Sequence, residues 1–381
     1  VNATGIFNPA LVGPGTYTIK YTFTSTAGGC IDSLSKTITV LDSASARFTV
    51  SPINCENSLV SFNSTSSTIP AASGTITGWA WNFGDPASGA NNTSSIQNPT
   101  HLFSGWGTYN VTLSVTTSNG CRSTVRTIPV FVNPLPRPDF SFPASACLPS
   151  ATIAFNSSAS SIPDGTQSSF TYLWDFGDPA SGPLNTSTGS SPSHIYNTAG
   201  PFTVTLQITS GAGCVNTKTI IVNTIHPQPT GSFTSNKDDV CVGQSFTFTD
   251  NSNPADGTTQ QWNWTMGDGN VRTSSSFNYT YGTAGSYDVS LFITNSFGCR
   301  STTFTKTVTV NPYPVVNAGP DLFILQDGSD TIQPIITAIN PTYLWTPNLY
   351  FLSSNTILNP IVKGVDDITY TLTVTGRGGC I

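Results

Sequence analysis

Apolar and polar side chains alternate with a period of two through much of this chain, and that period predicts β-strands rather than helices. Tyr109, Val111, Leu113 and Val115 fall on one face of residues 107–115, while Thr and Ser fill the other. Residues 200–208, with Phe202, and 285–293, with Tyr287, repeat the arrangement. Upstream of each lies an aromatic strand: Trp79, Trp81 and Phe83, then Tyr172, Trp174 and Phe176, then Trp262, Trp264 and Met266. Residues two apart on a strand share a face, so each set is a core stripe. Gly84-Asp85, Gly177-Asp178 and Gly267-Asp268 follow. Glycine tolerates positive φ and aspartate bonds the backbone two residues on, so each pair ends its strand in a turn. The copies recur about every ninety residues, which fits one small domain per copy and not one turn of a solenoid.

A Trp-x-Phe-Gly-Asp turn followed by a Tyr/Phe-x-Val-x-Leu strand resembles the signature of the polycystic-kidney-disease-type (PKD) β-sandwich. The Gly-Asp-Pro-Ala-Ser-Gly sequence at 84–89 and 177–182 is similar to the PKD subtype abundant in surface proteins of Bacteroidota. The resemblance covers about residues 45–313 and implies an all-β fold, with tandem Ig-like sandwiches in an extended array. The third copy departs from it, with Met266 in place of Phe and Gly269 in place of Pro, so its loop is expected to be shorter.

The expected domains are residues 43–133, 135–224 and 229–311, joined by Pro-bearing segments at 133–138, 226–229 and 311–314 that favour short, stiff connections. Residues 1–41 read as the back half of another Ig-like domain, with strands at 15–21 and 36–40. Residues 315–381 read as an Ig-like domain lacking its last strand, and their Asn317-Ala318-Gly319-Pro320-Asp321 opening resembles repeats that accompany PKD domains in gliding-adhesin-type proteins. Both end domains are expected to be incomplete, as in a segment cut from a longer polypeptide.

Charge changes the picture by its scarcity. Only 8% of the residues are charged and the net charge is −6, so nothing marks a nucleic-acid footprint or an anionic-membrane partner. There is no apolar run of ~18 residues to span a membrane. Of the eight cysteines, each PKD copy holds two, one before its first long strand and one after its Tyr/Phe-x-Val strand. Recurrence once per domain predicts Cys55–Cys121, Cys147–Cys214 and Cys241–Cys299 bridges and hence an oxidising, extracellular setting. Cys30 is expected to have lost its partner by truncation, and Cys380 to have none within its own domain.

Catalytic candidates are few. His101 and His194 occupy equivalent positions and His226 lies in a linker, none with a recurring carboxylate and nucleophile. No catalytic or cofactor-binding residue is assigned. Asp85, Asp178 and Asp268, beside loops rich in Asn, Ser and carbonyls, are the candidate calcium ligands, although each loop brings only one or two carboxylates. Trp106 stands where the other copies carry Ala199 and Ala284, and is either local packing or a domain-specific surface contact. Asn-x-Ser/Thr sequons occur at Asn63, Asn91, Asn92, Asn110, Asn156, Asn185, Asn263 and Asn278, and Asp-Ser/Thr-apolar triplets begin at Asp32, Asp42 and Asp330.

Together these features imply a stalk or filament segment of a large bacterial surface adhesin of the gliding, type IX-secreted kind. Its partners would be the other domains of the same polypeptide and a surface polysaccharide or protein reached through other parts of the parent chain. The alternatives are an array of carbohydrate- or protein-binding modules, or an accessory spacer of a secreted hydrolase.

Overall fold

The computed structural model describes residues 5–70 and 73–381. The chain divides into two compact units: residues 1–142 with 155–192 and 203–221, and residues 143–154 with 193–202 and 222–381. The second repeat contributes to both. The described residues are nearly all β, in antiparallel sheets with short parallel pairings.

The first unit opens with a hairpin, Gly15–Thr24 against Ile31–Val40, followed by the first repeat. One sheet of that repeat carries Thr49–Val50, Leu59–Asn63 and Thr100–Leu102. The other has Thr93–Ser94, Ile76–Asn82, Gly107–Thr117 and Arg126–Val132 in that spatial order. The predicted alternation is realised: Val111, Leu113 and Val115 are buried in a cluster with Trp81, Phe83, Phe48, Phe62 and Phe103, against which Trp79 and Tyr109 pack. Trp81 is 2% exposed, and its indole N–H donates to the Ile96 carbonyl at 2.9 Å. That bond satisfies a polar group which would be costly to bury bare. The Tyr109 ring lies 4.2 Å from that of Phe103 and its hydroxyl donates to Gly105.

The part of the second repeat in this unit repeats the solution. Thr171–Asp175 pairs with Phe202–Thr209, setting Trp174 opposite Leu206. Trp174 is fully buried between Phe140 and Phe155 and donates to the Gly189 carbonyl at 2.9 Å. Phe176 is also buried.

In the second unit, Ala151–Ala154 pairs with Ser193–Tyr196, and the Phe202 ring lies 4.2 Å from Tyr196. The third repeat sets Phe233–Ser235, Ser245–Asp250 and Ser276–Thr280 against a five-stranded sheet. That sheet runs Asp239–Cys241, Phe304–Asn311, Gly285–Asn295, Thr259–Thr265, Val271–Arg272. Its core holds Trp264, Met266, Phe246, Phe248, Val289 and Leu291, with Tyr287 packed against it. Met266 takes the buried place of Phe83 and Phe176, an apolar exchange of similar volume that such a core tolerates. The remaining residues, 315–381, form three two-stranded pairs around Ile332, Trp345 and Val362.

The outward faces are hydroxyl-rich. Thr205 meets Thr219 across strands at 3.0 Å, Thr265 meets Ser290 at 2.6 Å, and Thr16 meets Thr39 at 3.3 Å.

Replacing Trp174 with Ala deletes a buried aromatic, and a loss of ~3–5 kcal/mol in the second repeat is expected. The check is the urea concentration at which protease first cleaves within residues 135–224 of the full chain. A loss below ~1 kcal/mol is incompatible with this packing.

Candidate functional site

Two features recur in the repeats with their geometry intact: the Gly-Asp turn and the joint to the next domain. In the turn, Gly84 and Gly267 have φ of +71° and +78°, and a Cβ at either would meet the backbone of Asn110 or Asp288 at 2.7–2.8 Å. Only glycine fits there. The aspartate that follows Gly84 is buried and engaged. Asp85 accepts from the Ser104 amide at 2.9 Å and hydroxyl at 2.6 Å, and lies 3.2 Å from His101 Nε2. The His101 ring in turn stacks on Phe83 at 4.2 Å. Burial pushes the Asp85 carboxyl up, but the Ser104 hydroxyl and amide and the His101 ring outweigh that and hold it below the ordinary carboxylate value.

In the third repeat, Tyr279 occupies the place of His101 and donates to Asp268 at 2.6 Å, while the Asn270 amide donates at 3.0 Å. Burial raises the Asp268 carboxyl and these donors lower it to a net value below the ordinary one. The Tyr279 and Tyr281 hydroxyls are pushed up, first by burial and then by the neighbouring carboxylate. Asp178 is likewise buried, and its amide donates to Asn185 Oδ1 at 2.6 Å. Among the described residues, no group of three or more His, Cys, Asp or Glu is placed to hold a metal. Asp85 and Asp268, offered above as calcium ligands, accept hydrogen bonds from donors in the turn and in the strand that follows it.

Asn92 and Asn185 are residues whose role the sequence concealed. Their side-chain oxygens accept the amides of Asp85 and Asp178 at 2.7 and 2.6 Å. Their carbonyls accept the amides of Phe83 and Phe176 at 2.9 Å. Both read as sequons; the recurrence comes from closing the turn. In the shorter third loop Asn270 takes over, its carbonyl accepting from Met266 at 2.9 Å.

The joints correct the expected disulfides. Cys55 pairs with Cys214, Cys147 with Cys299, and Cys241 with Cys380, at Cα separations of 5.7, 5.4 and 5.6 Å. No bridge lies within a repeat. Cys121 carries a free thiol, as does Cys30. The physical reason is the sandwich itself. Each first cysteine sits on a short segment running parallel to the last strand: Cys55 opposite Asn133, Cys147 opposite His226, Cys241 opposite Asn311. That is the downstream pole, where the chain leaves the domain. Each second cysteine sits in the hairpin before the last strand, at the upstream pole. There Thr117, Ser210 and Asn295 give their amides to the carbonyls of Cys121, Cys214 and Cys299 at 2.9, 2.9 and 3.0 Å. A strand of about ten residues separates the poles by ~33 Å, whereas a disulfide needs Cα atoms within ~7 Å. A cysteine at one pole therefore reaches only the adjoining pole of the next domain.

Polar contacts accompany each bridge. At the first joint, Glu56 accepts from the Leu135 amide at 3.3 Å, and Asn216 donates to the Pro136 carbonyl at 2.8 Å. At the second, His226, expected in a linker, is buried: its ring stacks on Phe297 at 3.7 Å and its Nδ1 meets Asp256 at 2.7 Å. Beside it Ser145 donates to the Phe297 carbonyl at 2.8 Å. At the third, Asn311 donates to Asp239 at 3.0 Å, and Arg377 lies 3.8 Å from the same carboxylate.

Trp106 is 42% exposed. In the last segment a cavity of about 680 Å³ is lined by Leu322, Phe323, Leu325, Trp345 and Tyr370, among others.

Three comparisons bear on this geometry. The PKD domain family matches residues 45–132, 133–224 and 226–310. The pre-pro-metalloprotease PrtV of Vibrio cholerae is 30% identical over 133 residues, 34% of this chain, and the match spans only 14% of that protein's length. Among solved structures, the PKD1 domain of the same protease is 28% identical, over 22% of this chain and 96% of that one, with a TM-score of 0.20. The PKD1 domain of Vibrio anguillarum Epp is 30% identical, over 22% and 95%, with a TM-score of 0.19.

Because the folded value of Asp85 lies below the unfolded one, its stabilising contribution is complete above ~pH 4 and is lost as pH falls through the folded value. Between about pH 5 and pH 2, the first repeat of the wild type is expected to lose more thermal stability than that of Asp85→Asn. Equal slopes in the two melting series contradict the assignment.

Proposed function

From a chain that belongs to the PKD-domain family, we propose an extracellular spacer: a stalk or filament segment that holds a functional end of a larger surface adhesin away from the cell. The observation that carries this is the double connection between successive domains, one peptide joint rich in proline and one disulfide crossing it. Such bridges persist in oxidising surroundings, which supports a location outside the cytosol. No helix among the described residues is long and apolar enough to cross a membrane. The turns present hydrogen-bonded carboxylates and a backbone held close by glycine.

The Gly-Asp-Pro-Ala-Ser-Gly turns and the Asn-Ala-Gly-Pro-Asp segment support a parent protein of the gliding, type IX-secreted Bacteroidota kind. In this reading the ligand, polysaccharide or protein, is held by other parts of the parent.

A second reading, a binding module, is favoured by Trp106 alone, an exposed indole with no counterpart in the other repeats. Aromatic platforms of that kind serve recognition when they stand clear of the core.

The two readings separate experimentally. Scattering from the oxidised full chain is expected to give a maximum dimension above ~100 Å, three strand lengths laid end to end. Immobilised polysaccharides are expected to retain wild type and Trp106→Ala equally. A particle no wider than about two domains overturns the spacer; retention abolished by Trp106→Ala establishes the binder.

A further inference from the structure

The bridges do more than join neighbours, because they are staggered. Each links the downstream pole of one domain to the upstream pole of the next, so they change which residues connect one end of the chain to the other. Starting in the first repeat, the covalent path runs along its first segment to Cys55 and crosses to Cys214. It follows the last strand of the second repeat, Val215–Val222, through the joint and along the first segment of the third repeat to Cys241, and crosses to Cys380. Residues 56–213 and 242–379 lie off this path. They include every buried tryptophan named above and every strand of the first repeat's two sheets except Thr49–Val50.

We infer that the staggered disulfides take the bodies of the repeats out of the line of tension, making the array a tether of nearly fixed length whose folded cores hang beside the path. From the first repeat onward, past the hairpin of residues 15–40, the segments on the path are already strand-like or extended. Each crosses its domain once in about a dozen residues, at ~3.3 Å per residue against a ceiling of ~3.6 Å. Unfolding a core therefore adds almost no length. A repeat of about ninety residues without such bridges would lengthen from ~35 Å to ~300 Å. The inference deepens the spacer reading and rests on it for its use, since a spacer under pull keeps its reach only if its domains cannot pay out as slack. The connectivity itself stands without that reading.

The bridges are unequal in this respect. Cys55–Cys214 and Cys241–Cys380 lie on the end-to-end path, whereas Cys147–Cys299 closes a second route between joints, over residues 137–147 and 299–311, and is not needed for the first. This yields a result that bridges inside each repeat could not give.

The test is single-molecule extension of the full chain held at its two ends. Oxidised wild type is expected to reach a contour of ~300 Å at full stretch, from residues 1–55, 214–241 and 380–381. With a dithiol reductant present it should reach ~1,300 Å, a roughly fourfold gain. Cys147→Ser with Cys299→Ser should leave the oxidised contour at ~300 Å, while Cys55→Ser with Cys214→Ser should lengthen it at least twofold. Bridges within repeats would instead give ~700 Å for the oxidised wild type and a further ~400 Å on removing Cys147 and Cys299. Either of those results overturns the inference. A non-reduced peptide digest of the same material, expected to release 55–214, 147–299 and 241–380 as linked pairs, decides the connectivity even if a variant folds poorly. Failure here with an extended particle in scattering removes the tether and leaves the spacer; the reverse outcome removes the spacer alone.

Discussion

A disulfide closes only where two Cα atoms approach within ~7 Å, and a β-sandwich holds its two poles some 30 Å apart. Much else in this chain depends on that mismatch of lengths. The cysteine beside the last strand and the cysteine in the hairpin before it cannot meet while the strands between them stay paired. They meet across joints because the joints are short: the proline-bearing segment at the first joint brings Asn216 within 2.8 Å of the Pro136 carbonyl. The spacing of poles is in turn maintained by the core, in which an indole N–H given to a loop carbonyl positions each repeat's tryptophan among the aromatic rings of both sheets.

The three repeats solve the same local problem with different side chains. Where the first repeat ties its Gly-Asp turn through Asp85 to His101 and Ser104, the third uses Asp268 with Tyr279 and Asn270. What persists is a carboxylate after the glycine that accepts a hydrogen bond from a side chain of the following strand, buried at Asp85 and exposed at Asp268. The seven-residue turns at Pro86–Asn92 and Pro179–Asn185 and the abrupt turn ending at Asn270 reach the same hydrogen bond back to the aromatic strand. The loop is free to vary because the two contacts that fix it sit at its ends.

Strands, core and repeat were legible because each is written in local periodicity. The faces of residues 107–115 and the Trp-x-Phe stripe need no knowledge of the rest of the chain, and Met266 falls where that stripe places it. The cysteine partners were not legible, since a spacing that recurs once per domain is the same whether Cys147 pairs with Cys214 or with Cys299. The distinction lies in which pole each residue occupies, and that follows from the parallel pairing of Ala146–Cys147 with Ile225–His226, a contact about eighty residues apart in sequence. Asn92 and Asn185 were hidden for a related reason: an Asn-x-Ser/Thr triplet looks alike whether its amide is offered to solvent or turned back onto the turn. His226 was hidden by its address, since a residue beside a joint proline reads as linker until the neighbouring domain supplies Phe297 and Asp256.

The hydroxyl-covered outer faces carry a consequence for the medium in which the chain can work. Cross-strand pairs such as Thr205 with Thr219 and Thr265 with Ser290 are neutral, and an ion pair such as Lys306 with Asp238 lies partly in water. Charge–charge attraction between exposed groups fades over ~10 Å at 0.1 M salt and over ~3 Å at 1 M, whereas neutral hydroxyl pairs have no such dependence. Such pairs hold the strands together to the same degree in fresh water, brackish water and brine.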